Sequence, residues 1–202
     1  MEVHQLKYKN SSLNYCRFGS GPKPAVCFHG YGEDANTFAF LNKYAGNQYT
    51  FYSIDLPFHG KTEWNEGLPF TQKDLHQIIN EILNKGNSKL VTENWQLSLI
   101  GFSMGGRIAL SLYETMPEKI EKLILLAPDG LKVNFWYWLS TQTWMGNKLF
   151  SFTMKHPGWF FGFLKLLNKL GLVNASIFKF VDFYIGSKEV RGLLYQIGRA
   201  HV

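Results

Sequence analysis

One hydroxyl in this sequence stands where a hydroxyl can be made to react. Gly101-Phe102-Ser103-Met104-Gly105 places a serine between two glycines, and Gly106 follows directly. Before it, Trp95, Leu97 and Leu99 alternate with polar positions and run into Ile100, as a buried strand does. After it, Ile108, Ala109, Leu112, Tyr113 and Met116 recur at helical spacing until Met116-Pro117 stops the helix. A serine on so tight a strand-to-helix turn is forced into a strained backbone, so its neighbours must be small. Gly101 and Gly105 meet that need, and Gly106 lets the helix approach the sheet. The turn exposes the Ser103 hydroxyl and points the Met104 amide, at a helix N-terminus, toward the oxyanion of an attacked carbonyl. The chemistry this suits is nucleophilic acyl transfer.

The elements needed to hold such a turn can be read along the chain. At 202 residues, with 46% hydrophobic and 18% charged residues, it is a globular chain with room for a sizeable core. Val3 to Lys9 and Leu13 to Phe18 read as paired strands joined at Asn10-Ser11-Ser12. Pro24 to Phe28 reads as a short buried strand ending in His29-Gly30-Tyr31-Gly32, with a helix expected from about Asn36 to Tyr44. Tyr49 to Leu56 is a further strand, closed by Asp55-Leu56-Pro57-Phe58-His59-Gly60. Thr71-Gln72-Lys73-Asp74 has the form of a capping box with Asp in place of Glu. It opens a helix whose apolar face is Leu75, Ile78, Ile79, Ile82 and Leu83 and which ends at Gly86. The Ser103 strand and helix follow, then a strand from Ile120 to Ala127. Strands alternating with helices predict a mostly parallel sheet flanked by helices, with right-handed crossovers.

Composition narrows the function classes. The start, Met-Glu-Val-His-Gln, has no basic or apolar signal region, and no apolar run reaches membrane-spanning length, so a cytoplasmic location is expected. Cys16 and Cys27 both fall in strands, which predicts buried free thiols and neither a bridge nor a metal pair. The net charge is +6, concentrated between Leu131 and Ile185, where six lysines face one acid, Asp182. Without zinc spacings, a P-loop or an RNA-reading aromatic motif, nucleic acid does not account for that charge, and no metal is expected.

Three separated motifs together resemble the α/β-hydrolase family, in its serine-hydrolase branch with a helical cap. His29-Gly30-Tyr31-Gly32 matches the family's oxyanion loop, and Asp55 to Gly60 resembles its D-x-P-G-x-G turn, departing at Phe58 where glycine is usual. Gly101 to Gly105 matches the nucleophile elbow. The resemblance implies residues 1–130 as the N-terminal part of the core and 131–190 as a helical cap, with the last strands of the fold missing. It implies Ser103 as nucleophile, the Tyr31 and Met104 amides as the oxyanion hole, and Gly30, Gly32, Gly101, Gly105 and Gly106 as motif glycines. It implies no cofactor. His29 then shapes the loop, because the family's catalytic histidine follows the serine; His59 and His76 precede Ser103 too and are expected to be structural or exposed, and Asp55 a turn-former. Asp129 is a candidate acid, since some members place it directly after this strand. Serine at the elbow argues against the dehalogenase and epoxide-hydrolase branches, which use aspartate there.

In the expected cap, fifteen aromatic residues fall between Phe135 and Tyr184. Three helices are predicted there: about Asn134 to Met154, Gly158 to Leu170, and Ala175 to Ile185. The aromatic residues either line an apolar acyl pocket for a small-molecule substrate or pack the cap onto the sheet, and the lysines raise peripheral contact with a membrane surface. The leading expectation is a hydrolase of carboxylic esters or thioesters. Gly-Phe-Ser-Met-Gly-Gly-Arg also resembles the elbow of the menaquinone-pathway succinyl-hydroxy-cyclohexadiene-carboxylate synthases. There Arg107 would bind a substrate carboxylate and the reaction would be a lyase's. A non-catalytic binding protein of the same fold is the third alternative.

The downstream histidines are His156, inside the expected cap, and His201. Ile197-Gly198-Arg199-Ala200-His201-Val202 is what one frame of a common sequencing adaptor encodes, ATC GGA AGA GCA CAC GTC, followed by a stop. Residues 197–202 are therefore expected to be non-native, and the gene truncated before the catalytic histidine. Genomic DNA encoding these six residues natively would overturn that expectation.

Overall fold

The first strands form because apolar side chains alternate along them and a tight turn brings them together. β1 (Glu2–Tyr8) and β2 (Ser11–Phe18) pair antiparallel, with Tyr8 opposite Ser11. The turn is therefore Lys9-Asn10, shorter than the sequence suggested, and Ser11 and Ser12 already belong to β2. Lys9 takes the left-handed conformation there, φ 51°. The computed structural model describes residues 1–67, 70–86, 96–128, 143–171, 178 and 181–186. The chain divides into two compact units, Met1–Lys132 and Val133–Ala200, apart from the last two residues.

In the first unit a six-stranded sheet runs in the order β1-β2-β4-β3-β5-β6. β3 (Lys23–Phe28), β4 (Tyr49–Ile54), β5 (Leu97–Phe102) and β6 (Ile120–Leu126) are mutually parallel, and β2 joins β4 antiparallel. This is an α/β fold with a mostly parallel, mixed sheet. The central strands β3, β4 and β5 are buried on both faces, as a parallel sheet covered by helices requires.

On one face, Cys16, Phe18, Ala25, Cys27, Phe51 and Ile100 pack with Ala35 and Phe38. Over the other lie α2 (Gln72–Gly86) and α3 (Met104–Thr115): α3 crosses β3, β5 and β6, and α2 reaches β1. The end of α2 sits so close to Tyr52 that a Cβ on Gly86 would come within 2.3 Å of its hydroxyl. Both cysteines are buried and free, and burial raises both thiols above their ordinary pKa.

The capping box forms as its residue types predict. The Thr71 hydroxyl accepts the Asp74 N–H at 3.2 Å, and the Asp74 carboxylate accepts the Thr71 N–H at 3.0 Å. Asp74 also accepts from the Tyr8 hydroxyl at 2.7 Å and the Lys9 ammonium at 2.6 Å, tying the hairpin to α2. Burial alone would raise the Asp74 pKa; the bonds from Lys9, Thr71 and Tyr8 outweigh it and hold the carboxyl well below its usual range.

The helix expected over Asn36 to Tyr44 is instead two short pieces. Asp34 accepts the Asn36 N–H at 2.8 Å and starts a 3₁₀ turn, Ala35–Phe38, followed by α1 (Leu41–Ala45). The reason is tertiary. Ala35 and Phe38 are plugged into the sheet core, and the tight i to i+3 spacing that delivers both cannot continue as one α-helix.

In the second unit, α4 (Trp144–Lys155) and α5 (Gly158–Lys169) are regular helices. Thr143 caps α4 by accepting the Gly146 N–H at 3.0 Å. The expected Asn134 start of the first cap helix lies outside the described residues. Of the third expected helix, the described part ends in a π-helical turn, Asp182–Gly186.

Candidate active site

A parallel sheet offers its ligands the carboxyl ends of its strands, above all where successive crossovers diverge. Here the chain leaves β3 for β4 on one side and returns to β5 on the other, so that point lies between β3 and β5. Phe28 is paired with Gly101 across it. His29-Gly30-Tyr31-Gly32 and Phe102-Ser103-Met104 thus emerge side by side although about seventy residues separate them.

Ser103 has φ 50° and ψ −115°, a conformation L-residues avoid. Two backbone bonds and three glycines hold it there. Its N–H donates to Leu126 O at 3.0 Å, at the end of β6, and its carbonyl accepts the Gly106 N–H at 2.9 Å. A Cβ on Gly105 would lie 2.0 Å from Phe28 O; one on Gly101, 2.5 Å from Gly105 O; one on Gly106, 2.6 Å from Pro128 Cβ. These separations are all below any real contact, so the elbow closes only with hydrogen at each position. Met104 stands at the first position of α3, where an N–H has no intrahelical acceptor. The Ser103 side chain is half-exposed, and among the described residues its hydroxyl has no hydrogen-bond partner.

The neighbouring loop is pinned by a residue the sequence reading passed over. Glu33 accepts the Gly30 N–H at 3.0 Å and the Thr37 hydroxyl at 3.4 Å, and its own N–H returns to Gly30 O at 3.3 Å. The three-residue spacing of Gly30 and Glu33 was the available signal. A Cβ at Gly30 would press on the Phe102 ring at 2.9 Å, and Gly32 needs its glycine for a left-handed φ of 76°.

His29 is wholly buried and both its nitrogens are committed. Nδ1–H donates to Gly30 O at 2.7 Å, and Nε2 accepts the Leu56 N–H at 3.1 Å. Burial pushes its pKa below the ordinary histidine value, keeping the neutral tautomer that this pair of bonds needs. His29 therefore splints the ends of β3 and β4, as a loop-shaping residue would. His59 lies edge-on to His29 at 5.1 Å and to Tyr31 at 5.8 Å, with Nδ1 toward Pro57 O at 2.9 Å. It is buried, and burial lowers its pKa also. His76 is half-buried on α2 and bonds the Thr115 hydroxyl at 2.6 Å.

Asp55 organises the turn after β4. Its carboxylate accepts the Ala35 N–H at 2.5 Å, the Asn14 side-chain amide at 2.8 Å and the Lys61 N–H at 2.8 Å. Phe58, where the resembled motif has glycine, takes φ 66°, the left-handed conformation glycine would enter without strain. Arg107 lies one turn along α3 from Ser103, half-buried. Asp129 and His201 lie outside the described residues. His156 follows α4 in the second unit, exposed, its ring 5.1 Å from Phe152. Among the described residues no cluster of histidine, cysteine or carboxylate side chains could hold a metal ion.

Comparison with known proteins identifies the fold. A family model described as the alpha/beta hydrolase fold matches residues 23–171. A serine hydrolase-like protein of Danio rerio is 28% identical over 113 residues, covering 54% of this chain and 32% of its own length. A pimeloyl-[acyl-carrier protein] methyl ester esterase of Aeromonas salmonicida is 28% identical over 116 residues, covering 57% and 41%. The chain thus covers well under two thirds of either relative. Among solved structures, a probable hydrolytic enzyme of Pseudomonas aeruginosa PAO1 superposes with a TM-score of 0.58 at 18% identity, over 98% of this chain and 64% of that one.

Proposed function

The chain belongs to the α/β-hydrolase fold family, and from that premise we propose that it is a serine hydrolase of carboxylic esters or thioesters acting through an acyl-enzyme. The observation that carries the reading is the left-handed Ser103, held between β5 and α3 by glycines that admit no side chain. A strained, half-exposed serine at a helix N-terminus suits nucleophilic attack and little else.

In the proposed reaction Ser103 Oγ bonds to the acyl carbon as its proton passes to a histidine base. The carbonyl oxygen becomes an oxyanion received by the Met104 and Tyr31 amides. Collapse of the tetrahedral intermediate expels the alcohol or thiol, which takes the proton from the histidine. Water then hydrolyses the acyl-serine by the same steps in reverse, releasing the carboxylic acid. His29 has both nitrogens committed to the loops and His59 holds Pro57 O through Nδ1. Both precede Ser103 where the family's base follows it, so the base and its orienting acid are assigned to residues outside the described ones, Asp129 among the candidates for the acid. The substrate proposed is an apolar acyl group. The names of the two relatives, one an esterase, support the ester class and no particular ester.

Labelling with a fluorophosphonate tests this. In a protein that supplies the histidine, the expected result is one adduct on the peptide carrying Ser103, absent in Ser103→Ala. An adduct that survives that substitution, or none in a protein that supplies the histidine, refutes it. Arg107 would distinguish the lyase alternative: release of pyruvate from a succinyl-hydroxy-cyclohexadiene-carboxylate precursor, lost in Arg107→Ala, would replace hydrolysis as the reaction.

A further inference from the structure

Helices of a water-soluble domain turn their apolar stripe inward, and α4 and α5 carry one outward as well. On α4, Met145, Leu149 and Phe152 recur at i, i+4 and i+7, and all are exposed, with Trp144 beside them. On α5, Trp159, Phe163 and Leu166 repeat the same spacing, and Leu170 completes it just past the helix end. Trp144 and Met145 are 71% and 75% exposed, so neither is a marginal case. The two stripes meet at the corner between the helices, where Phe152 lies 5.1 Å from His156 and 6.3 Å from Trp159. An open cleft of about 630 Å³ sits there, walled by Phe152, Pro157 and Trp159 with Lys155 and His156 also lining it.

On the two helices themselves the charge flanking the stripe is of one sign. Lys148, Lys155, Lys165 and Lys169 are exposed on these helices, and neither helix contains an acid. Lys148 lies 3.9 Å from the centre of the Trp144 ring, so its ammonium rides on the same face as the apolar groups. Aromatic and aliphatic groups flanked by lysines, without carboxylates, match the interface of a bilayer carrying negative headgroups. A protein partner would have to satisfy the same four cations with carboxylates while burying tryptophan; an anionic lipid surface does both at once. No helix among the described residues is long and apolar enough to cross a membrane, so the geometry is that of helices lying on a surface.

We propose that the outward face of α4 and α5 docks on an anionic lipid membrane, with the Trp144–Leu170 stripe entering the interface and the four lysines meeting the headgroups. This is independent of the proposed hydrolase activity and stands whether or not Ser103 reacts.

Co-sedimentation of the whole chain with vesicles tests it, using phosphatidylcholine alone and phosphatidylcholine mixed with phosphatidylglycerol. Binding is expected to the mixed vesicles, with a blue shift of tryptophan emission, and to weaken as salt is raised. Lys165→Glu with Lys169→Glu should lower it at least about tenfold, and Trp159→Ser with Phe163→Ser should remove the blue shift and most of the binding. All four residues are exposed, so both variants should keep the parent's far-ultraviolet circular dichroism. Binding to neutral vesicles as strong as to mixed ones, or binding unchanged in both variants, overturns the proposal. So does a dimer in sedimentation equilibrium that Phe163→Ser dissociates, because the stripe would then be covered by a second copy.

Discussion

Alanine at Gly105 and alanine at Gly162 are the same chemical change on a helix, and the structure assigns them opposite signs. Both replacements should gain about 1 kcal/mol of helix propensity. Gly162 lies within α5 with nothing within 4 Å of its would-be Cβ, so that gain should appear unreduced. At Gly105 the Cβ would lie 2.0 Å from Phe28 O, 2.4 Å from Phe28 C and 2.7 Å from His29 O. These are backbone atoms of β3 and of the loop after it, and they cannot rotate aside. Restoring ordinary contact requires the elbow and β3 to separate by more than ~1 Å, at or beyond the upper end of the roughly 1–3 kcal/mol that overpacking costs. With the propensity gain subtracted, a net loss of about 2 kcal/mol remains. For a chain of this size, a urea slope of about 2–3 kcal/mol/M turns that into a midpoint roughly 0.7–1 M lower. The same separation moves Ser103 and Met104 relative to Tyr31, so fluorophosphonate labelling of a protein that supplies the histidine should slow by about a hundredfold, the usual cost of ~1 Å at a reacting centre. Equilibrium unfolding in urea, followed by far-ultraviolet circular dichroism, measures the first quantity and timed labelling the second. A Gly105→Ala protein as stable as the parent would show that packing against β3 does not fix this glycine.

Other consequences are open to equally direct measurement. Phe58→Gly should leave stability within about 1 kcal/mol of the parent, since release of left-handed strain of about 1–2 kcal/mol offsets glycine's entropic cost of about 0.5–1 kcal/mol; Phe58→Val should lose at least about 1 kcal/mol in the same urea assay. His29 and His59 both have pKa values lowered by burial, so the unfolded chain binds more protons once the pH drops below the ordinary histidine value. Stability should therefore fall as pH falls through about 6.5, by up to about 1.4 kcal/mol per pH unit for each histidine; a flat profile between pH 7 and 5 would contradict their burial. Asp74 acts lower on the scale. Its depressed pKa stabilises the fold above the ordinary carboxylate range, and that contribution is lost as pH falls through the ordinary value and on through the folded one. Asp74→Asn should cost about 1–2 kcal/mol near neutral pH, discounted because Lys9 is half-exposed, and should flatten the acid limb of the stability profile.

Wherever the signal was local, residue types and spacing were enough. The β5–turn–α3 unit, the Thr71–Asp74 capping box and the buried cysteines were legible because each follows from hydrogen bonds or alternation within a few residues. The glycines around Ser103 could be assigned to a strained turn for the same reason. Phe58 was legible as a departure, but its left-handed φ was not, because Asp55 and the turn it anchors impose that conformation from outside the residue. The single helix expected over Asn36 to Tyr44 is replaced by two short pieces, because Ala35 and Phe38 have to reach the sheet together.

Residue types and spacing are enough to put a serine on a tight strand-to-helix turn and a glycine-rich loop after an earlier strand. That the two are neighbours follows from the closed sheet. The order β4-β3-β5 puts Phe28 beside Gly101, and a strand order depends on crossovers whose partners lie far apart in the chain. The same holds for the histidines. Imidazoles look alike in a sequence, whereas the Leu56 N–H, the Gly30 carbonyl and complete burial make His29 a splint. Chemistry that resides in one turn can be written locally; chemistry that needs several strand ends to converge exists only once the sheet has closed.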